Sequence, residues 1–258
     1  MDHAFNIIIR GTDLTLWGFW GLCGVSFLGS LIAAALGLGG GVLVLATMAQ
    51  LLPPTVLVPI HGVVQLGSNL GRAVLMVREA MLSIVPSFLL GTFVGAALGA
   101  QIVVSLPTQL LQVVLAVFIL YATWAPKFRS HRPGPIKFLM VGIISTVVTM
   151  FVGATGALVA PFVSAACADR RKMVSTHAIV MSIQHGFKVI AFGIIGFAFG
   201  PYIPLLAGLL LFGFIGTYVG GLVLNRLPEP IFRVGLRLIL TLLSLRLLYS
   251  ALAKAFGR

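Results

Sequence analysis

The stretch that decides the fold is VPIHGVVQLGSNLGR, Val58–Arg72, which carries a histidine, a glutamine, an asparagine and an arginine inside a mostly apolar chain. Their spacing of four, four and three residues puts all of them on one face of an α-helix. These residues are His61, Gln65, Asn69 and Arg72. Because ionisable side chains within an apolar helix are costly to keep, this polar face predicts a functional site.

The same kind of face recurs in the second half of the chain, in VSTHAIVMSIQHGFK, Val174–Lys188. Its polar residues are His177, Gln184, His185 and Lys188. A shift of 116 residues aligns the two stretches, matching His61 with His177, Asn69 with His185 and Arg72 with Lys188. After a five-residue gap, the shift becomes 121 and the match resumes. We therefore predict two related halves, 1–124 and 137–258, joined by a basic cytoplasmic linker at 125–136.

The composition predicts an integral membrane protein. Of 258 residues, 59% are hydrophobic and only 9% are charged, whereas a soluble domain has about 25% charged residues. The net charge of +12 does not indicate nucleic-acid binding, because that needs a water-facing basic surface. The two cysteines, Cys23 and Cys167, have no metal-ligand spacing and are interpreted as packing residues. We expect neither a metal nor another cofactor.

Eight apolar segments are long enough to cross a membrane. They lie at about 14–36, 55–77, 80–104, 107–124, 137–152, 173–199, 202–224 and 228–250. Two shorter apolar pieces, 42–52 and 157–168, each follow a glycine-rich break, GLGGG at 37–41 and GATGA at 153–157. The predicted fold is therefore an all-α polytopic membrane protein with eight full spans and two short, glycine-preceded helices.

The distribution of basic residues favours ten crossings. If both short pieces cross, the basic clusters around Lys127–Lys137 and Arg170–Lys172 fall on one side, which the positive-inside rule makes cytoplasmic. Five segments per half is an odd number, so the second half would be inverted. Inverted repeats are typical of secondary transporters, which bind substrate near the midplane at the repeat interface. Whether the short pieces cross fully stays open at this point.

The ionisable residues favour an anion as the ligand. All five acidic residues lie at chain ends or in loops, so no interior carboxylate is available to neutralise Arg72 or Lys188. A buried cation without a partner is costly, and helix N-termini after the glycine breaks would offer free N–H groups. The predicted substrate-binding residues are Gly39, Gly40, Gly41, His61, Gln65, Asn69, Arg72, Thr155, Gly156, His177, Gln184, His185 and Lys188. The alternatives to a binding role are that the Arg72 side chain extends to the lipid headgroups and that the histidines serve only in packing.

The glycine breaks, the HGVVQLGSNLGR segment and the two-half arrangement resemble the TauE/SafE sulfite exporter family, also called the toluene sulfonate uptake permease family. The resemblance covers nearly the whole chain. It implies transport of sulfite, sulfonates or related small organic anions. It carries the family's glycine-rich motif to Gly37, Gly39, Gly40 and Gly41, and the second-half echo to Gly153, Gly156 and Pro161. Thr155 and Ala157 stand where further glycines would be expected.

These observations together predict a secondary transporter, an exporter of sulfite or an organic sulfonate, in the bacterial inner membrane. The anion would bind between the halves near mid-membrane, with membrane lipid as the surroundings and protons as a coupling ion carried by His61, His177 and His185. The sequence contains no Walker motif and therefore does not indicate transport driven by ATP hydrolysis. The alternatives are an anion channel, a carrier of a different small organic anion, and a membrane enzyme, which would need an interior carboxylate or metal cluster. The oligomeric state stays open.

Overall fold

The computed structural model describes residues 14–36, 39–103, 106–124, 133–167, 169–222 and 229–255, and within these ranges all regular structure is helical. There are ten α-helices in the described part of the chain. They are α1 Leu16–Leu36, α2 Gly40–Met48, α3 Pro54–Met76, α4 Val85–Val103, α5 Thr108–Trp124, α6 Pro135–Val152, α7 Gly156–Ala166, α8 Arg170–Ile194, α9 Ile203–Leu222 and α10 Glu229–Ala255. Single 3-10 turns lie at Val77–Glu79, Leu82–Ile84 and Gly200–Tyr202.

The helices confirm the prediction of an all-α membrane protein. Six segments are long and apolar enough to cross a membrane: Leu16–Leu36, Leu82–Val103, Pro135–Val152, Arg170–Ile194, Gly200–Leu222 and Val234–Ala253. Helix α3 has 23 residues, but its polar face keeps its hydropathy below that of the six. Helices α2 and α7 are the two short, glycine-preceded helices that the sequence predicts, with 9 and 11 residues.

Glycine contacts bring helices of different halves together as parallel pairs. Helix α9 lies along α1 where Gly216 meets the backbone of Phe27, and α4 lies along α6 where Gly95 meets Ile143. One turn further along, the same pairs continue at Gly220 with Leu31 and Gly99 with Val147. A Cβ at Gly216 or Gly95 would overlap the facing backbone, so these glycines are needed for the close approach.

The two polar-faced helices, α3 and α8, pack against each other antiparallel. Near the start of α3, Gly62 faces the Lys188 side chain. Near the end of α3, the Met76 carbonyl accepts a hydrogen bond from Ser175 Oγ at 2.6 Å. The residue numbers of the contacting pairs therefore rise along one helix as they fall along the other, which is the antiparallel arrangement. This crossing brings both polar faces into the interior.

Helix α2 runs back along α1. Gly40 lies against Gly29, and Leu51, just beyond α2, approaches Gly18 near the start of α1. Helix α2 therefore leads the chain back toward the end from which α1 began. Helix α3 then starts at that end and runs in the direction of α1.

Several basic residues collect at the opposite end of the bundle, called here the basic end. Arg170 Nη2 donates to the carbonyl of Ala35 at 2.6 Å, and Arg171 pairs with Glu79 at 3.0 Å. The end of α1, the end of α3 and the start of α8 are therefore neighbours. The proposed linker residues 125–132 and both chain ends lie outside the described residues, as do Gly37 and Leu38 of the glycine motif.

Candidate functional site

A small cavity of about 40 Å³ lies where helices α1, α2, α3, α7 and α8 meet. One water needs roughly 10–15 Å³ of such space, so the cavity can hold a few waters or one small oxyanion. Its lining consists of Ala33, Gly39, Gly41, Val42, Gln65, Asn69, Arg72, Ala154, Gly156, Ala157, His177, Met181 and His185. Both halves of the chain contribute to it.

The first turns of the two short helices border this cavity. Neither α2 nor α7 has a side-chain cap at its N-terminus, so backbone N–H groups of their first turns remain available there. Gly39, which precedes α2, has a φ of 95°, a conformation that favours glycine. The two N-termini thus bring donors and positive dipole ends to one small space.

Glycines in these first turns allow polar side chains to approach the backbone. A Cβ at Gly41 would lie 2.8 Å from Gln65 Oε1, and one at Gly156 would lie 3.2 Å from Cε1 of His177. Both distances are too short for ordinary packing. Glycine at these positions therefore leaves room for the side chains that α3 and α8 direct toward the short helices.

Arg72 supplies a buried positive charge at the cavity, with only 3% of its surface exposed. Its Nη1 donates to the Ala33 carbonyl at 2.9 Å, and its Nη2 donates to Asn69 Oδ1 at 2.5 Å. A longer bond of 3.4 Å joins Nε to the Ser68 carbonyl. All these acceptors are neutral. A guanidinium has five N–H groups, so two of them remain for a ligand.

The described carboxylates are engaged elsewhere. Glu79 pairs with Arg171, and Asp169 caps the first turn of α8 through the Lys172 amide at 2.8 Å. Among the described residues, therefore, no carboxylate faces Arg72 or Lys188. The described residues also contain no group of three or more His, Cys, Asp or Glu side chains that could hold a metal ion.

Two histidines that lie 116 residues apart, His61 and His177, make equivalent bonds. His61 Nε2 lies 3.0 Å from the Gly41 carbonyl, and His177 Nε2 lies 3.0 Å from the Gly156 carbonyl. A carbonyl can only accept, so Nε2 carries the proton in both rings. The Nδ1 atoms of both rings are buried and have no hydrogen-bond partner, and the same holds for Nδ1 of His185.

Lys188 is fully buried but lies beside the cavity rather than on its wall. Its Nζ donates to the Gly153 carbonyl at 3.4 Å, the one hydrogen bond that the described structure gives it. The rings of His61 and His185 lie nearby with centroids 6.2 Å apart. All three side chains are almost fully buried, so this second polar region is filled by protein atoms.

The structure brings eight of the thirteen predicted site residues to the cavity. These are Gly39, Gly41, Gln65, Asn69, Arg72, Gly156, His177 and His185. The other five, Gly40, His61, Thr155, Gln184 and Lys188, lie off its wall. Gly40 packs on Gly29. Gln184 is held by Thr155 Oγ1 at 2.7 Å and itself donates to Ser145 Oγ at 2.7 Å.

Sequence reasoning did not identify five of the lining residues: Ala33, Val42, Ala154, Ala157 and Met181. Ala154 and Ala157 belong to the second glycine break, so their position in that motif was an available signal. Ala33 acts through its backbone carbonyl, which binds Arg72. Its side chain carries no chemistry that a sequence pattern could reveal.

The chain was compared with known proteins. A family model described as Sulfite exporter TauE/SafE matches residues 22–247. No curated protein and no solved structure matches the chain. The matched range includes every helix that lines the cavity except the first turn and a half of α1.

Proposed function

The chain belongs to the sulfite exporter TauE/SafE family, a family of transporters, and from this premise we propose that it exports a small sulfur-containing anion such as sulfite or an organic sulfonate. The observation that carries this proposal is the cavity in which Arg72 lies between two uncapped helix N-termini. All of these groups attract anions. The small volume of the cavity favours sulfite over a bulky sulfonate.

We infer that the two halves form an inverted repeat. Helices α3 and α8 are repeat mates that pack antiparallel, and a two-fold axis relating two antiparallel helices runs perpendicular to both. The same operation exchanges the contact of Gly95 with Ile143 and the contact of Gly216 with Phe27. If these helices cross the membrane, the axis lies in its plane, which is the plan of many secondary transporters.

The directions of the helices support ten crossings. Helices α1, α3 and α9 run one way, and the contacts of Met81 with Thr176 and of Phe93 with Phe187 make α4 parallel to α8. Since α1 and α3 share a direction, α2 must carry the chain back between them. We propose that α2 and α7, each with the irregular residues before it, complete a crossing and begin near mid-membrane.

We propose that the basic end faces the cytoplasm of a bacterium and that the anion binds between the halves. Lys137 near the start of α6 and Arg170–Lys172 near the start of α8 fall at one end in the parallel arrangement, as the positive-inside rule requires. Arg72 would provide the main charge, with backbone N–H groups of α2 and α7 completing the site. Protons are the proposed coupling ion.

Purified protein in liposomes tests the function. We expect saturable flux of sulfite that exceeds flux of sulfate, organic sulfonates and carboxylates, and that responds to a pH gradient. Counterflow, in which unlabelled sulfite on one side drives labelled sulfite uphill, identifies a carrier. Flux that neither saturates nor shows counterflow would identify a channel and refute the carrier mechanism.

Two arginine variants connect the flux to the cavity. Arg72→Gln should abolish most sulfite flux, whereas Arg246→Gln alters an exposed arginine of α10 that does not line the cavity and should retain it. Equal loss in both variants would mean that general membrane charge, and not the cavity, governs transport.

A further inference from the structure

One residue of the cavity wall carries a hydrogen-bond acceptor that no protein group uses. His177 lines it, with only 4% of the residue exposed. Its Nε2 is committed as a donor to the Gly156 carbonyl at 3.0 Å. In a neutral ring, Nδ1 is then a bare acceptor, and this atom is buried without a partner. A buried polar atom without a partner is costly, so a ligand that brings a donor to Nδ1 would stabilise the site.

The groups around His177 favour the neutral ring. Helix α3 contributes Arg72 and α8 contributes His185, and both line the cavity with His177. Helices α1, α2 and α7 contribute no ionisable side chain to the cavity wall. A charged imidazole would add a second cation beside Arg72, with no described carboxylate to offset it, and such an arrangement is unfavourable in a buried site.

A fixed cation combined with a bare acceptor matches one class of ligand. An oxyanion that still carries one acidic O–H can accept from Arg72 and donate to Nδ1 of His177 at the same time. A fully deprotonated dianion, or an organic sulfonate, would instead face the Nδ1 lone pair with an oxygen lone pair. Sites built to bond a ligand hydroxyl discriminate strongly against analogues that lack it.

We propose that the site selects a singly protonated oxyanion, and that the species bound is hydrogen sulfite in its O-protonated form rather than the sulfite dianion or sulfate. This inference rests on the proposed function and specifies its substrate. Sulfite takes up its first proton near neutral pH, whereas sulfate does so only in strong acid. The transported proton would then travel on the anion, so that coupling needs no titrating side chain.

The first experiment compares two ligands by calorimetric titration of the purified full chain. Methanesulfinate is hydrogen sulfite with its hydroxyl replaced by methyl, so it has the same charge and similar size but no donor. Its protonation does not change from about pH 6 to about pH 9. We expect the apparent Kd for total sulfite, divided by that for methanesulfinate, to rise ~tenfold per pH unit once the dianion dominates, because only the protonated fraction binds.

Taking this ratio removes the effects of protein titration, because both ligands meet the same protein at each pH. A constant ratio, or one that falls as pH rises, would overturn the inference. Absence of sulfite binding at every pH would instead refute the proposed function. The two failures are therefore distinguishable.

Two substitutions at one position test the role of Nδ1. His177→Gln keeps a donor for the Gly156 carbonyl and removes the Nδ1 acceptor, so its preference for hydrogen sulfite over methanesulfinate should fall about tenfold. His177→Asn keeps an acceptor close to the Nδ1 position and gives up the bond to Gly156. Its preference should be largely retained. The reverse order, or an unchanged preference in both variants, would contradict the proposal.

Discussion

Arg72 and Lys188 occupy equivalent positions in the two halves, yet their surroundings differ. Arg72 has three carbonyl or amide acceptors and borders a cavity. Lys188 is fully buried, has a single 3.4 Å bond to the Gly153 carbonyl and borders no described cavity. The two positions thus give one region that borders a cavity, called here the open region, and one region that is filled by side chains, called here the closed region. Alternating access requires this kind of asymmetry, in which equivalent elements of two repeats adopt different states.

The groups that surround the two cations also differ. Ala33, whose carbonyl binds Arg72, aligns with Thr149 in the second half. Thr149 Oγ1 instead donates to the Gly153 carbonyl at 3.2 Å, the same carbonyl that Lys188 contacts. In the closed region, one carbonyl thus accepts hydrogen bonds from both Thr149 and Lys188, whereas in the open region two N–H groups of Arg72 are left for a ligand.

The largest expected effect comes from removing the cation of the open region. Arg72→Gln keeps a polar side chain but removes the charge-assisted bonds, so sulfite binding should weaken by about 1.5–3 kcal/mol. Calorimetry on the purified variant measures this, with Arg246→Gln as the matched control. Unchanged affinity in Arg72→Gln would show that Arg72 is a structural cation and would end the distinction between the two regions.

Packing glycines test whether the halves share their architecture. Gly95→Ala and Gly216→Ala each force a Cβ into facing backbone, so each should destabilise the protein by about 1–3 kcal/mol. Thermal unfolding in detergent gives the comparison, and the two losses should be similar. Gly24→Ala is the control because a Cβ there meets nothing within 4 Å. A large loss in only one of the first two variants would mean that the helix pairs are not equivalent.

A smaller effect on binding is expected at the closed region. Lys188→Gln should change sulfite affinity by less than about threefold, because Lys188 does not line the cavity, while it slows transport by more than that. Flux and calorimetry on the same preparation separate the two quantities. If Lys188→Gln weakened binding as much as Arg72→Gln, both cations would belong to one site and the regions would not alternate.

The smallest effect is expected at the basic end. Arg171 and Glu79 form an ion pair whose side chains are 62% and 36% exposed, and exposed pairs contribute about 0–1 kcal/mol. Arg171→Ala should therefore shift thermal stability only slightly and leave sulfite affinity unchanged. A strong loss of sulfite binding in this variant would show that the charge at the basic end contributes to the affinity of the cavity.

Much of the fold was predictable because its signals are local. The long apolar segments predicted the described helices to within about five residues at their ends, and the glycine breaks predicted the starts of α2 and α7. The polar spacing identified most of the cavity wall for the same reason: residues three or four apart share a helical face. Prediction failed where a residue acts through its backbone, as Ala33 does.

By itself, the sequence determined that this protein is helical and carries long apolar segments, and it predicted two related halves, each with a polar helix and a glycine-preceded short helix. Only the tertiary structure decided which polar groups face open space. Gln184 and Thr155 look equal to Gln65 in the sequence, yet they bond to each other, and Gln184 also donates to Ser145 of α6. Periodicity depends on neighbours along one helix, whereas hydrogen-bond partners come from helices that are distant in the chain. For that reason the polar faces could be found from the sequence, while their division into an open and a closed region could not.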